Sequence, residues 1–349
     1  MIYSRLLFRH HFRHIAFIAL VLVLLCASLE RPVRAQDDPD VVRVETNLVQ
    51  LNVGVVDRKG RAVTNLSRND FIVYEDDVRQ PIVSFEPATA PFSLVLLLDM
   101  SGSTLNFRPT LKQAALRFID ALGPEDRVAV IAFNAKVDML TKFTSDRRKI
   151  ADAISYADGK GETHFYQALR RSLEELAKEG QRRKAIVVLS DGLDTEMRNM
   201  DRVSAGNART NEEAVASIQP EASAPLNTVL NAADRQGVTV YPLALPSGDP
   251  KRLVFPDPKL IAIYTSARTR MQALADRTGG QLNEIKRLED MGFLYAEVAA
   301  NLRTLYSVGY QPSGTRTRDG RWRKIRIEVA RPELIARTRP GYYAINQRP

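Results

Sequence analysis

The sequence is poor in the residues that most metal and nucleophile chemistry requires. Its 349 residues contain one cysteine and four histidines. The cysteine, Cys26, and three of the histidines fall within the first 35 residues, so that only His164 lies beyond them. This scarcity argues against disulfides, cysteine nucleophiles and zinc sites built from thiolates or clustered histidines in the rest of the chain.

The first 35 residues differ in kind from the rest of the chain. The basic stretch "MIYSRLLFRHHFRH" precedes the apolar run "IAFIALVLVLLCASL", and Val33 and Ala35 place small residues ahead of Gln36. This pattern is typical of a secretory signal peptide, and it predicts cleavage after Ala35 and a periplasmic or secreted protein. A retained membrane anchor is the alternative, but the apolar run is shorter than the ~20 residues that a membrane-spanning helix needs. We therefore expect no transmembrane span after removal of the signal.

Removal of the signal also changes the charge. Residues 1–35 carry five arginines and one glutamate, so their loss lowers the formal net charge of +9 by four. The mature chain is then only mildly basic.

The remaining chain divides into three segments by its apolar pattern. Residues 36–90 alternate apolar and polar side chains, as a small antiparallel β module does. Residues 91–304 alternate buried-strand runs such as "FSLVLLLD" and "KAIVVLS" with amphipathic helices. This alternation predicts an α/β fold, with a doubly wound, mostly parallel sheet and helices on both faces, and with "KVDMLTKF" as an antiparallel edge strand. Residues 305–349 predict a C-terminal β-strand extension.

Two polar stretches interrupt the α/β pattern. Thr195 to Pro225 is rich in alanine, and Pro246 to Pro258 is punctuated by prolines. We expect both to be long loops, which are either functional lids or tolerated surface insertions.

The stretch "SLVLLLDMSGST" runs a buried strand into Asp99, Ser101 and Ser103. In a parallel α/β sheet, ligands bind at the carboxyl ends of the strands, and these side chains would present three oxygen atoms there. Carboxylate and hydroxyl oxygens suit Mg²⁺ or Mn²⁺. Taken alone, the pattern is better explained by side chains that cap the next helix.

Two further stretches belong to the same predicted edge. "GKGETHFYQAL" places Thr163 in a loop before a helix, and "VVLSDGLDT" ends a buried strand next to Asp191. With these residues the chain resembles the von Willebrand factor A-type domain, whose metal-ion-dependent adhesion site combines Asp-x-Ser-x-Ser, a loop threonine and a strand-end aspartate. The resemblance implies a Rossmann-like fold and a site for Mg²⁺, with Mn²⁺ as a substitute, formed by Asp99, Ser101, Ser103, Thr163 and Asp191.

The resemblance also implies how the site works. In the family, the serines and the threonine bind the metal directly or through water, the aspartates ligate it or hold those waters, and a carboxylate of a protein partner completes the coordination. The flanking "FIVYEDDVRQPIVSFE", "LADRTGGQL" and "RPGYYA" are similar to a bacterial exported subgroup, the VWFA-related proteins found notably in acidobacteria.

Enzymatic alternatives fit the sequence less well. A haloacid-dehalogenase-type phosphatase needs an acidic residue two positions after its aspartate nucleophile, where this chain has Ser101. A serine hydrolase lacks its Gly-x-Ser-x-Gly elbow here, and "GKGET" is too short for a phosphate-binding loop. We therefore expect a protein that is not an enzyme.

The basic C-terminal stretch "RTRDGRWRKIR" offers one more hypothesis. Export argues against nucleic acid as a partner, and arginines on a strand commonly form a solvated edge, although contact with an anionic envelope polymer stays open. The sequence as a whole predicts an exported module that uses a Mg²⁺ site to bind an acidic residue of a protein partner. The alternative is a structural envelope scaffold whose metal site recognises no partner.

Overall fold

The computed structural model describes residues 48–180, 182–246, 249–250, 254, 257–312 and 319–345. The predicted signal peptide, residues 1–35, lies outside them. The strands are β1 (Val49–Val56), β2 (Phe71–Glu75), β3 (Val78–Gln80), β4 (Ile82–Glu86), β5 (Phe92–Asp99), β6 (Arg127–Phe133), β7 (Val137–Thr144), β8 (Arg183–Ser190), β9 (Val238–Ala244), β10 (Asn283–Glu284), β11 (Leu305–Tyr310), β12 (Trp322–Val329), β13 (Ile335–Arg337) and β14 (Gly341–Tyr343). The α-helices are α1 (Arg108–Asp120), α2 (Arg147–Tyr156), α3 (Phe165–Ala177), α4 (Thr195–Ser204), α5 (Asn211–Ser217), α6 (Ala224–Gln236), α7 (Pro258–Thr278) and α8 (Met291–Leu302).

A six-stranded sheet in the order β10-β9-β8-β5-β6-β7 forms the centre of the α/β region. All neighbouring strands are parallel except β6 and β7, which are antiparallel, so the predicted edge strand is confirmed. Alternate residues of β5 enter different apolar cores: Leu96 and Leu98 pack on the side of α1, α2 and α8, and Val95 and Leu97 on the side of α3 and α6. The predicted α/β fold with helices on both faces is therefore present.

The two flanking segments form a single β structure. One four-stranded sheet has the order β13-β1-β11-β4 and another the order β14-β12-β2-β3, so each combines strands from before and after the α/β region. Their facing side chains share one apolar core, which includes Leu51, Phe71, Tyr306 and Ile325. The sequence pattern predicts two separate β modules. In the structure, strand pairing joins residues about 250 positions apart, as in Val53 opposite Tyr306.

Polar contacts attach this β structure to the amino ends of the parallel strands. Asn52 Nδ2 donates to Thr239 Oγ1 at 2.7 Å, at the start of β9. The buried Arg339 donates to the backbone oxygen of Asp234 at 2.7 Å and to that of Gln50 at 3.1 Å. The carboxyl ends of the strands, where the candidate site lies, therefore point away from the β structure.

The segment Thr195 to Pro225, which the sequence predicts to be a loop, is largely helical. It forms α4, α5 and the beginning of α6. Each of these helices begins at a side-chain cap: Asp194 accepts from Met197 N, Thr210 from Glu213 N and Ser223 from Leu226 N. Small apolar side chains from this segment pack on α7 in a separate cluster, which explains why a strong amphipathic pattern is missing. Most of the second predicted loop, Pro246 to Pro258, lies outside the described residues.

A buried ion pair holds α4 against α7. Arg270 donates to both carboxylate oxygens of Asp201, at 2.6 and 2.7 Å, and each residue is 3% exposed. This bidentate pair has the geometry that offsets the desolvation of two charges, and removal of one partner would leave the other buried without compensation.

Across the described ranges, no helix is both long and apolar enough to cross a membrane.

Replacement of Asp201 by alanine should lower the free energy of unfolding by ~3–5 kcal/mol, because the Arg270 guanidinium would stay buried and unpaired. Urea denaturation measures this loss. The Asp201→Ala/Arg270→Met double variant should recover part of it, and Glu196→Ala, on the exposed face of the same helix, should change stability by less than ~0.5 kcal/mol. A single variant as stable as the wild type would show that the pair does not hold α4 in place.

Candidate functional site

The candidate site begins where two neighbouring parallel strands end. Strands β5 and β8 pair in register, with Leu98 opposite Leu189, so the next residues, Asp99 and Ser190, lie side by side. Ser190 Oγ donates to Asp99 Oδ2 at 2.6 Å. Asp191 follows directly, and all three side chains are fully buried. Strand pairing alone thus brings two of the five predicted residues to one point.

The turn after β5 adds the two serines. Ser101 N donates to the second carboxylate oxygen of Asp99 at 2.9 Å, which orients the aspartate. The hydroxyls of Ser101 and Ser103 lie 3.2 Å apart. Thr104 Oγ1 donates to the backbone oxygens of Asp99 and Ser101, both at 2.9 Å, and so fixes the turn. Two hydroxyls and a carboxylate therefore face the same region.

The loop that carries Thr163 is held between the other two loops. Gly102 N donates to Gly161 O at 3.1 Å, which connects this loop to the Asp-x-Ser-x-Ser turn. Thr163 N donates to Thr195 Oγ1, and Thr195 N donates to Thr163 O, both at 2.9 Å, which connects it to the turn after Asp191. All five predicted residues therefore lie on three loops that hydrogen bonds join along one edge of the sheet.

Two arginines support these loops, and the sequence alone indicates neither. Arg108, at the start of α1, is buried and donates to the backbone oxygens of Met100 at 2.7 Å and Gly159 at 2.5 Å. Arg268, on α7, donates to the backbone oxygen of Asp191 at 2.7 Å. No local sequence signal reveals such contacts, since they join residues that are remote in the chain. Ser190 is visible in the sequence as part of "LSDG", but its bond to Asp99 depends on strand register.

Glycines permit the close approach of these loops. A side chain at Gly159 would collide with Asn134 and with the Met100 backbone oxygen. Gly192 has φ +78° and lies against Met271, so only glycine fits the turn after Asp191 without strain.

Burial and charge make the cation-free site electrostatically unfavourable. Burial raises the pKa of the Asp99 carboxyl above its ordinary value of 3.8, and the neighbouring Asp191 charge raises it further, while hydrogen bonds from Ser101 and Ser190 oppose the shift. A divalent cation would offset the repulsion between the two carboxylates. The donor set of carboxylate and hydroxyl oxygens suits Mg²⁺ or Mn²⁺. In the described part of the chain, this site included, no three His, Cys, Asp or Glu side chains cluster as metal ligands, so hydroxyl oxygens would have to supply part of the coordination here.

His164 lies beside this site but is engaged with its own loop. Its ring contacts Gln167 Oε1 at 3.0 Å and Glu162 Oε2 at 3.4 Å. The hydrogen bond with Gln167, followed by that with Glu162, raises the pKa of His164. These contacts give it a role in ordering the start of α3.

In the presence of chelator, the stability of the protein should depend on the charge of Asp99. A raised pKa means that the folded protein binds the Asp99 proton more tightly than the unfolded chain does. The stabilisation from this proton is therefore lost as the pH rises through the pKa that Asp99 has in the folded state. Asp99→Asn should therefore be more stable than the wild type at pH 8, by a few kcal/mol because one pKa unit corresponds to about 1.4 kcal/mol, and not at pH 4.

Urea denaturation in EDTA at both pH values measures this difference. Asp138→Asn, on the exposed edge strand β7, is the matched control and should show no such dependence. A stability difference between Asp99→Asn and wild type that is equal at both pH values would contradict the expected charge effect.

Part of the chain is similar to known proteins. Residues 94–193 match the model of the von Willebrand factor type A domain. A stretch of 107 residues, 29% of this chain, is 37% identical to an uncharacterised protein of Synechocystis sp., of which it spans 25%.

Several solved structures are also similar to the chain. The von Willebrand factor domain of the type V pili tip protein Mfa5 from Porphyromonas gingivalis has a TM-score of 0.45 and 13% identity, and the match covers 61% of this chain and 95% of that one. A von Willebrand factor type A protein from Catenulispora acidiphila has a TM-score of 0.45 and 11% identity, over 87% of this chain and 75% of that one. The pilus adhesin SpaC from Lactobacillus rhamnosus GG has a TM-score of 0.45 and 12% identity, and the match covers 80% of this chain and 48% of that one.

Residues 94–193 run from β5 to the turn after β8 and include all five candidate site residues. Over this stretch the chain is similar to the von Willebrand factor type A domain family, and the resemblance predicted from the sequence is confirmed.

Proposed function

We propose that the chain is an exported protein-interaction module without enzymatic activity, and that it binds a partner through a divalent cation at the carboxyl edge of its central sheet. Asp99, Ser101, Ser103, Thr163 and Asp191 hold the cation, which is Mg²⁺ with Mn²⁺ as a substitute. The observation that carries the proposal is the buried pair Asp99 and Asp191, whose mutual repulsion a cation would relieve, beside two hydroxyls 3.2 Å apart.

Each residue has a distinct part in this proposal. Asp99 accepts hydrogen bonds at both carboxylate oxygens, from Ser101 N and Ser190 Oγ, so its orientation is set before any cation binds. Ser101, Ser103 and Thr163 supply neutral oxygen atoms, which leave most of the charge of the cation uncompensated. Preorganisation of this kind reduces the cost of ordering the site when it is filled.

A bound divalent cation would supply a Lewis-acidic position for an oxygen atom of the partner. A carboxylate is the natural occupant, because it adds the negative charge that the neutral hydroxyls do not provide. The partner is therefore expected to present an aspartate or a glutamate. The family resemblance points to the same mode of binding.

Export is part of the proposal and depends on the first 35 residues of the sequence. Cleavage after Ala35 would place the mature chain in the periplasm or outside the cell. The similarity to the acidobacterial VWFA-related subgroup belongs to the same hypothesis. A structural scaffold that holds the cation without using it for recognition is the second candidate, and partner binding with and without the cation separates the two.

Cation binding should depend on the five residues. Isothermal titration with Mn²⁺ should give one site in the wild type, and Asp99→Ala or Asp191→Asn should abolish it, since each removes a charge from the site. Ser101→Ala should weaken it. Asp138→Asn should bind as the wild type does. Unchanged Mn²⁺ binding by Asp99→Ala would refute the assignment.

Partner binding should require both the cation and a carboxylate. A pull-down from the native envelope fraction should recover the partner in Mg²⁺ and lose it in EDTA or with the Asp99→Ala bait. Once the partner is identified, substitution of its contact carboxylate by an amide should weaken binding at least ~10-fold, and Thr163→Ala should also weaken it. A partner retained equally under all these conditions would favour the scaffold.

A further inference from the structure

A second concave surface lies in the β structure, apart from the cation site. It forms where β3 leaves β2 and the chain crosses at Pro81 to the other sheet as β4. The cavity there has a volume of about 510 Å³, and its walls include Arg68, Asn69, Arg79 and Gln80. We call it the β3–β4 groove. Its volume falls in the range of sites that bind small molecules or peptide segments.

The basic side chains of the β3–β4 groove have no acidic partners among the described residues. Arg79 is exposed and forms no ion pair, and Arg68 donates to the backbone oxygen of Ile82 but contacts no carboxylate. Each nearby acid is engaged elsewhere. Asp70 accepts from the backbone and hydroxyl of Ser67 and lies 3.5 Å from Arg331.

The acids on neighbouring strands are engaged as well. Asp77 and Glu328 both contact Arg326, which also stacks on the ring of Tyr74 at 3.9 Å. Tyr74 in turn lies opposite Arg79 in the β2–β3 pairing. The groove therefore presents two guanidinium groups that have no carboxylate partner in the described part of the chain, beside acids that pair with other arginines, which attracts an anion to this point.

Besides the two arginines, the lining includes apolar residues, namely Phe71, Ile72, Pro81 and Ile82. A lone inorganic anion would contact the arginines but leave this apolar surface exposed to water. Phe71 is only 4% exposed, so no open aromatic face is offered for a sugar ring to stack on. The lining instead matches a ligand that combines anionic groups with an apolar one.

We propose that the β3–β4 groove binds an acidic peptide segment of a partner protein, in which an apolar side chain lies between two carboxylates. The carboxylates pair with Arg68 and Arg79, the apolar side chain covers the lining at Ile72, and the Asn69 amide is available to the peptide backbone. Guanidinium groups pair with carboxylates through two parallel hydrogen bonds, which gives direction as well as attraction.

The groove is independent of the cation site. It belongs to the β structure that contacts the amino ends of the parallel strands, whereas the cation site lies at their carboxyl ends. The chain would then hold two different acidic partners, or two parts of one, at opposite ends of the α/β region. Since the groove needs no cation, its binding persists in chelator.

The test uses the full chain in EDTA, so that the cation site makes no contribution. The protein is titrated into a fluorescein-labelled peptide, Ser-Glu-Val-Glu-Val-Glu-Ser, and binding is followed by fluorescence anisotropy. The comparison peptide has lysine in place of each glutamate. The variants are Arg79→Glu, Arg68→Gln and the matched control Lys59→Glu, an exposed basic residue of the same β structure. Inorganic phosphate and polygalacturonate serve as competitors, and amide hydrogen exchange at residues 71–72, 79–80 and 82 locates the bound peptide.

We expect saturable binding of the acidic peptide alone, a loss of affinity of at least ~10-fold in Arg79→Glu and Arg68→Gln, and no change in Lys59→Glu. Exchange should slow at the groove residues on binding. Equal affinity of Arg79→Glu and Lys59→Glu, or binding of the basic peptide as well, would overturn the proposal. The proposal would also be overturned if phosphate or polygalacturonate displaced the labelled peptide at a lower concentration of negative charge than the unlabelled peptide does. That result would favour a different anion as the ligand. Because the assay contains no divalent cation, its outcome is separate from that of the cation-site experiments.

Discussion

The register between β5 and β8 determines where the side chains of the candidate cation site lie. Parallel pairing sets Leu98 opposite Leu189, and the carboxylate of Asp99 is thereby delivered to the hydroxyl of Ser190. A shift of one residue would turn the apolar side chains of β5 from one core to the other, so packing on both faces of the sheet protects this register. Burial of the Asp99 carboxylate at this edge is unfavourable, and the neighbouring loops supply the hydrogen bonds that it accepts.

Much of the α/β region was predictable because its signals are local. Continuous apolar runs marked the buried strands, and the polar residues after each run marked the edge. The helical nature of Thr195 to Pro225 was missed because α4 and α5 contribute few apolar side chains to the core; a buried ion pair and small residues hold them instead. The cap signals were nevertheless present, as in Thr210 and Glu213, where the Glu213 carboxylate accepts from the backbone of Arg209.

Other features could not be predicted from the sequence because they depend on distant pairing. The union of the two β flanks joins strands that lie on either side of the whole α/β region, and alternation alone does not identify a strand's partner. The same holds for Arg108 and Arg268, whose guanidinium groups reach backbone oxygens of remote loops. For the candidate cation site, the sequence predicted which residues lie at this edge of the sheet, while the hydrogen bonds that orient their side chains depend on the fold.

The basic C-terminal stretch shows how pairing alters the meaning of a charge pattern. On β12 the side chains alternate, so Arg323 turns inward and lies 3.0 Å from Asp319, whereas Arg326 lies outward and contacts acids of its own sheet. Trp322 and Tyr343 both lie against the guanidinium of Arg277 on α7. The two arginines of the β3–β4 groove, which have no acidic partner within the described ranges, come from a different part of the sequence. The clustering of basic residues in the sequence therefore did not indicate which arginines lack a carboxylate partner in the folded chain.

The union of the two flanks has a mechanical consequence. Residues 48 and 345, the outermost described positions, both adjoin strands of the β structure, and the α/β region is inserted between those strands. Tension applied between these positions would be transmitted through the hydrogen bonds that join β1 to β13, whose chain continues into β14, without passing through the loops around Asp99. Force applied at these two positions would thus leave the arrangement of the loops around Asp99 undisturbed.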